Sequence, residues 1–372
     1  MIRRFYVHNF RCLENFELPV SDKPSALLIG KNGSGKTTVG LAFEILQRIA
    51  RGTNRVGDLL KLKDFARGRS DVPMRFEIEA ELEGRIYGYN VAFELPRNFK
   101  ELRVLEEKLT ADGTPVYSRR AAQVQLARSQ EKDGSFRIDW HLVALPLIQE
   151  QSAKDPLSIF RRCLANMLVL RPMPSLISGA SEDDPTLHPN PQVTNFGEWF
   201  SGVLASTPSA YTKIEGYLKQ VLPDFKDIKN PVIGTDSRSL IVQFSSNQGS
   251  LALPFEDLSD GEKCFVISAV VLAANDACGP LLCFWDEPDN YLALSEVGHF
   301  VLALRSAFRS EGQFIATSHN PEAIRSFTEE NTLVLYRRNH LEPTLVRPLS
   351  DLQVNGDLIN ALVRDGLELP QP

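Results

Sequence analysis

Eight residues near the amino terminus, Gly30-Lys31-Asn32-Gly33-Ser34-Gly35-Lys36-Thr37, follow an apolar run at 26–29 and open an amphipathic segment at 39–49. A chain that passes from strand to helix through glycines aims several backbone N–H groups at one point, where the helix dipole also favours negative charge. This is the pattern of a phosphate-binding loop, and it predicts an α/β fold with strand, loop and helix in succession. Asn32, Gly33, Ser34, Gly35, Lys36, Thr37 and Thr38 are its candidate nucleotide-binding residues. In such a loop Lys36 neutralises the β- and γ-phosphates and Thr37 holds Mg²⁺. The competing reading is a flexible Gly/Ser turn.

Far downstream, residues 281–285 form a continuous apolar run ending in Asp286-Glu287-Pro288, as expected of a buried parallel strand with acids at its carboxyl end. Ligands of α/β sheets sit at that end. Asp286 is then the residue to orient a Mg²⁺ shell, and Glu287 the general base that polarises the attacking water. Asp-Glu-Pro also suits a plain turn. Leu258-Ser259-Asp260-Gly261-Glu262, whose serine lies 27 residues before Asp286, begins a long apolar helix at 264–274. Ser259 reads as its N-cap, with Glu262 completing a capping box, and such a helix terminus is also an anion site. A further apolar strand at 313–317 ends in Ser318-His319, and alone His319 reads as a solvated or capping residue.

Together these pieces resemble the ATP-binding-cassette superfamily. Ser259 and Gly261 stand in what looks like its signature motif, with Asp260 and Glu262 where Gly and Gln are usual; Glu is familiar there from the chromosome-maintenance (SMC) branch. The resemblance implies that Ser259 and its helix terminus cap the γ-phosphate of a nucleotide held by the phosphate loop of a second subunit. It also implies that His319, 32 residues after Glu287, is the switch histidine sensing that phosphate. Asp289-Asn290-Tyr291-Leu292 falls at the family's D-loop, which crosses the dimer interface, although Leu292-Ala293-Leu294 departs from the usual Leu-His-Pro. Two strands expected within residues 2–16, joined at Asn9-Phe10-Arg11, resemble the start of RecF-like, SMC-like and OLD-like ATPases. Arg11 corresponds to an arginine that reaches the nucleotide in some relatives; read alone, it is a surface arginine. Gln149 and Gln151 are both candidates for the family's glutamine-bearing loop.

The expected fold is therefore α/β, a P-loop NTPase of ABC type with a mixed sheet core, an antiparallel β-subdomain and an inserted helical lid. The resemblance places a split core at 1–70 and 250–372 around an insertion at 71–249, which begins as the β-subdomain and continues into the lid. Apolar alternation predicts strands at 74–82, 85–95 and 104–110, and helical spacing predicts helices at 156–168, 196–204 and 208–222. Residues 178–192, rich in Ser, Asp and Pro, read as an exposed loop, and 225–229 and 240–244 as strands. Strands at 331–336 and 341–346 and a helix at 351–363 follow. No heptad repeat is present, which excludes long coiled-coil arms. Only 53 residues follow His319, so the nuclease domain of OLD-type enzymes is not expected here, and any effector is expected on another polypeptide.

No apolar run approaches the roughly 20 residues that cross a bilayer, so membrane association is not expected and the chain is expected to be cytoplasmic. The five cysteines are scattered without metal-ligand spacing and read as reduced core residues. Residues 1–70 carry 13 Lys and Arg against 6 Asp and Glu, so the rest of a chain with net charge −6 carries about −13. Arg48, Arg51, Arg55, Lys61, Lys63, Arg67 and Arg69 cluster after the loop helix, a candidate stripe for DNA or RNA backbone or an ordinary solvated surface. The leading expectation is an ATPase that binds ATP and Mg²⁺, dimerises around nucleotide and acts as a switch or motor on nucleic acid or an effector protein, in phage or plasmid defence. A slowly hydrolysing scaffold that holds an effector silent is the alternative, and a transporter subunit a third.

Overall fold

The structure, a computed structural model, describes residues 1–127, 134–182, 184–233, 237–310 and 312–352. Two compact units divide the chain, Met1–Met167 with Glu329–Pro372, and Leu168–Thr328.

The first unit opens with β1 (Ile2–His8), β2 (Phe16–Glu17) and β3 (Ser25–Ile29), then α1 (Lys36–Ala50) and the single turn α2 (Val56–Leu59). A meander follows through β4 (Met74–Leu82), β5 (Arg85–Glu94), β6 (Arg103–Ala111), β7 (Thr114–Arg120), β8 (Gln123–Leu126) and β9 (Gly134–Arg137), before α3 (Pro156–Asn166). With β2 and β1 at one edge it forms an antiparallel sheet in the order β2-β1-β4-β5-β6-β7-β8-β9. The hairpin turns Glu83-Gly84 and Asp112-Gly113 have positive φ at both residues, the twist that joins two strands through two residues. Phe43 of α1 stacks on Phe5 of β1 with ring centroids 3.9 Å apart, which seats the loop helix on this sheet.

In the second unit the chain runs through β10 (Leu168–Leu170), β11 (Ala180–Glu182), α4 (Phe196–Ser206), α5 (Ala210–Val221), β12 (Phe225–Lys229), β13 (Val232–Ile233), β14 (Ser237–Ser239), β15 (Ile241–Ser246) and β16 (Gly249–Pro254). Then come α6 (Asp260–Cys278), β17 (Leu282–Trp285), α7 (Leu294–Ala307), β18 (Gln313–Thr317) and α8 (Pro321–Arg325). β17 lies parallel to β10 on one side and to β18 on the other, all three fully buried. α6 is buried from Lys263 to Asn275, an apolar helix covered on all sides, and α4 and α5 pack against it. The chain then re-enters the first unit as β19 (Thr332–Tyr336), parallel to β3, and β20 (Leu345–Pro348), antiparallel to β19.

Several expectations are corrected. The sheet continues past residue 111 into β7, β8 and β9, which the apolar pattern did not foretell. The reason is charge at inward positions: Glu107 of β6 and Arg119 of β7 both have side chains at 0% exposure, 3.6 Å apart. Glu107 accepts from Tyr89 Oη (3.1 Å), Tyr117 Oη (2.7 Å) and the N–H groups of Ala144 and Leu145 (both 2.8 Å). The helix expected to reach residue 168 ends at Asn166, and the apolar residues beyond it become β10. The Ser/Asp/Pro-rich segment contains β11, paired with β14. There the Thr186 carbonyl lies so close to Gly202 that a Cβ would stand 2.1 Å from it. Of the helix expected at 351–363, all but the first two residues lie outside the described ones.

In the basic cluster Arg55, Lys61, Lys63 and Arg67 are exposed, and Arg48, Arg51 and Arg69 are partly covered. Arg51 lies inward, its guanidinium donating to the carbonyls of Ala165 (2.8 Å) and Met167 (3.2 Å) at the end of α3, and burial pulls it down to about 10. Arg67 and Arg69 both pair with Glu14, Arg48 donates to Asp58 O, and Lys61 donates to Gly57 O. Their charges serve helix ends and loops of the unit itself, because unpaired carbonyls at helix termini attract cations. Among the described residues no helix is long and apolar enough to cross a membrane, and all five cysteines are free.

Removing the Glu107 carboxylate leaves the Arg119 charge without its buried counter-ion and four donors without their acceptor. Glu107→Ala is expected to cost about 3–5 kcal/mol and Glu107→Gln clearly less. Urea unfolding midpoints check this, and equal losses for the two variants would show that side-chain volume, not the acceptor set, holds the sheet.

Candidate functional site

In the first unit the loop between β3 and α1 adopts φ 149° at Gly30, 77° at Gly33 and 108° at Gly35, values that side chains rarely tolerate. Space enforces the same choice. A Cβ on Gly30 would stand 2.1 Å from Leu335 O on β19, and one on Gly35 2.7 Å from Thr344 Oγ1 and 3.0 Å from Cys12 Sγ. α1 starts at Lys36, immediately after Gly35, with no side-chain cap on its first turn. Lys36, 6% exposed, turns its ammonium onto Gly30 O (2.7 Å) and Lys31 O (3.3 Å). Ser34 Oγ is buried without a hydrogen-bond partner, while Asn32, Gly33 and Thr37 are exposed at the mouth. A buried hydroxyl without a partner, a lysine over carbonyls and a helix start without a side-chain cap together fit an anion of phosphate type.

Arg11 has φ 52°, its N–H donates to Asp64 O (2.7 Å) and its Nε to Asp64 Oδ1 (3.0 Å). It is the next residue, Cys12, that reaches the loop helix, with Sγ 3.6 Å from Thr38 Oγ1. His340, in the turn after β19, brings Nε2 within 3.9 Å of the place a Cβ on Gly33 would occupy. Gln149 and Gln151 are both exposed, and the Gln151 N–H donates to Asp155 Oδ2.

In the second unit the parallel register pairs Trp285 of β17 with Ala316 of β18, so Asp286 and Thr317 leave the sheet side by side. Thr317 Oγ1 donates to Asp286 Oδ1 (2.7 Å) and accepts from the Glu287 N–H (2.9 Å). One hydroxyl thus fixes both acids. Glu287 sits at φ 51°, a left-handed conformation that non-glycine residues adopt at a cost, and such strain concentrates at functional sites. Its Oε1 lies 3.4 Å from His319 Nε2, and its Oε2 accepts from the Asn290 amide. Asp289 is 4% exposed; burial pushes its carboxyl up, opposed by the Ser318 hydroxyl that donates to it at 2.8 Å.

At the start of α6 the capping box forms as expected. Ser259 Oγ accepts from the Glu262 N–H (3.3 Å), and Glu262 Oε2 accepts from the Ser259 N–H (2.8 Å). Ser259 is exposed, so its helix terminus faces outward, and a Cβ on Gly261 would stand 3.0 Å from Tyr291 O. Glu287 and His319 meet within this unit; Lys36, Thr37 and Thr38 share the other unit with Arg11. Among the described residues there is no group of three His, Cys, Asp or Glu that could hold a metal. Thr317 and Thr344 were missed by sequence reasoning. Only the polar ending of the strand at 313–317 marked the first, and no pattern marked the second.

A glycine loop into a helix and a strand ending in paired acids define a P-loop ATPase, and the fold is that of an SMC head. The chain superposes on an SMC head bound to the C-terminal winged-helix domain of ScpA with a TM-score of 0.59 at 13% identity, covering 94% of this chain and 99% of that one. An SMC head with an extended coiled coil, bound to the C-terminal domain of ScpA from Pyrococcus furiosus, gives 0.50 at 11% identity over 94% and 97%. The protein belongs to the family described as AAA domain, putative AbiEii toxin, type IV toxin–antitoxin system, which matches residues 25–325. It is also 44% identical over 46 residues to the OLD nuclease of Thermus scotoductus, a match spanning 12% of this chain and 8% of that protein.

The Thr317 bridge generates a prediction. Thr317→Val keeps the shape but removes the hydroxyl that orients Asp286 and the Glu287 backbone, so ATP turnover should fall by about tenfold or more. Steady-state phosphate release measures it; turnover equal to wild type would show that the two acids hold their positions without the bridge.

Proposed function

We propose that this chain binds MgATP at the 30–38 loop and hydrolyses it, with Glu287 as general base. The observation that carries this reading is the join at the end of β17 and β18, where Thr317 bonds Asp286 and the Glu287 N–H and His319 stands beside the Glu287 carboxylate. Lys36 and the N–H groups of Gly33 and Gly35 would hold the phosphates, and Thr37 would ligate the Mg²⁺, which supplies charge neutralisation when bound; Asp286 is the candidate Mg²⁺ carboxylate of the second unit. His319, 3.4 Å from Glu287, would orient that carboxylate and sense the phosphate it acts near. The Asn290 amide supports the other carboxylate oxygen.

Ser259 and Gly261, on the exposed start of α6, would act on nucleotide held by a second copy, making the active form a dimer with composite sites. The cycle would then serve as a switch on a separate effector protein or on nucleic acid, in defence against phages or plasmids. The family's toxin–antitoxin description and the local likeness to an OLD nuclease support that setting. A protein partner is favoured over DNA or RNA. Most of the basic cluster is engaged within its own unit, and the similar SMC heads are bound to ScpA domains. The scaffold alternative, in which slowly hydrolysed ATP holds an effector silent until triggered, differs in turnover rate and in keeping a stable complex with that effector and not binding DNA.

Glu287→Gln is expected to retain MgATP binding while lowering turnover by about 10² or more and trapping a dimer, whereas Lys36→Ala should lose binding. Calorimetry with size-exclusion chromatography separates the two, and wild-type turnover in Glu287→Gln would exclude it as the base.

For the composite site, a mixture of Lys36→Ala and Ser259→Arg proteins should regain up to roughly half of wild-type activity, since each mixed dimer contains one intact site. Turnover independent of protein concentration by a monomer would rule the arrangement out.

A further inference from the structure

We infer that Thr344, at the entry to β20 and outside every recognised motif, is a positioning residue of the phosphate loop that sets the direction of one N–H group offered to the nucleotide. The inference rests on the MgATP reading of the loop given above.

Thr344 is 1% exposed and tied at two points. Its N–H donates to Cys12 O (2.8 Å), and its hydroxyl donates to Ser34 O (2.8 Å). The carbonyl of Ser34 and the N–H of Gly35 belong to one planar trans peptide, so they point in opposite directions. Holding the carbonyl towards Thr344 therefore turns the Gly35 N–H away from it. That peptide needs an external hold. Gly35 is at φ 108°, where glycine has little intrinsic preference, and the flanking peptides have ties of their own. The Ser34 N–H donates to Lys31 O (3.1 Å), Gly30 O accepts from Lys36 Nζ (2.7 Å), and the Gly35 carbonyl accepts from Val39 N (3.1 Å).

The arm that carries Thr344 is itself fixed. Leu345 pairs with Tyr336 across the β19–β20 hairpin, and within the connecting turn Asn339 Oδ1 accepts from the Leu341 N–H (2.8 Å). Arg67 donates to Leu341 O from outside the hairpin. Thr344 also fills the space that a Cβ on Gly35 would need, with Oγ1 at 2.7 Å and Cγ2 at 3.3 Å from that point. The hydroxyl thus reaches Ser34 because Gly35 has no side chain.

Thr344→Val keeps this shape and removes the donor, leaving Ser34 O buried without it. In the full-length protein its Kd for MgATP by calorimetry, and its KM, should rise by about tenfold, with kcat within about twofold. That split follows because phosphate contacts are shared by ground and transition states. Thr344→Ser, which restores the hydroxyl, should bind within about twofold of wild type. Unchanged affinity in Thr344→Val, or Thr344→Ser as weak as Thr344→Val, overturns the role. If Thr344→Val does not fold, Thr344→Ala replaces it with the same expected outcomes. Lys36→Ala separates the two levels: lost binding there with wild-type binding in Thr344→Val overturns the positioning role alone, while MgATP binding that survives Lys36→Ala overturns the reading of the loop.

Discussion

The left-handed backbone of the 30–35 segment is the constraint on which the first unit is organised. At Gly30 the space for a Cβ is taken by Leu335 O, and at Gly35 by Thr344 and Cys12, so β19, the β19–β20 turn and the β1–β2 turn all close on the same loop. Such approach is open only to glycine, and it fixes the loop backbone where composition alone would leave it flexible. α1 begins at the end of that loop and is seated by Phe43 on Phe5. The loop is thereby joined to an antiparallel sheet that shares no motif with it.

In the second unit the corresponding constraint is electrostatic. Carboxylates at the end of a buried sheet lose hydration and need donors in return. Neighbouring β18 supplies them: the Thr317 hydroxyl to Asp286 and the Ser318 hydroxyl to Asp289, while His319 stands beside Glu287. Glu287 leaves the strand at positive φ, which turns its side chain to His319 and Asn290. The buried Glu107 of the first unit follows the same rule with another outcome. Surrounded by two tyrosines, two N–H groups and Arg119, it pins residues 144 and 145 to the sheet and takes part in no open site.

Where function depends on neighbours in sequence, the residues were readable. The capping box of Ser259 and Glu262 needs a spacing of three, the phosphate loop needs its glycines in order, and the parallel strand at 282–285 needs an apolar run. The hairpin strands β4 and β5 alternate cleanly and were placed within a residue. Reading failed where two distant residues cancel each other. Glu107 and Arg119 look like surface charge until they are seen to face one another, so β7 to β9 were missed. Arg51 looks like part of a basic face until the end of α3 is seen to accept from it. Leu168 continues an apolar helix by pattern and joins a strand in fact, because the pairing with β17 decides it.

By itself the sequence determined the loop, the strand-end acids, the cap of α6 and hence the class of chemistry, since each rests on spacing within one element. Tertiary structure alone decided that Thr317 joins Asp286 to Glu287, that Thr344 holds Ser34 across 310 residues of chain, and that Arg11 and Arg51 turn to internal acceptors. Those choices depend on which hydroxyl or cation the fold brings within about 3 Å of a buried acceptor, a distance no local pattern encodes.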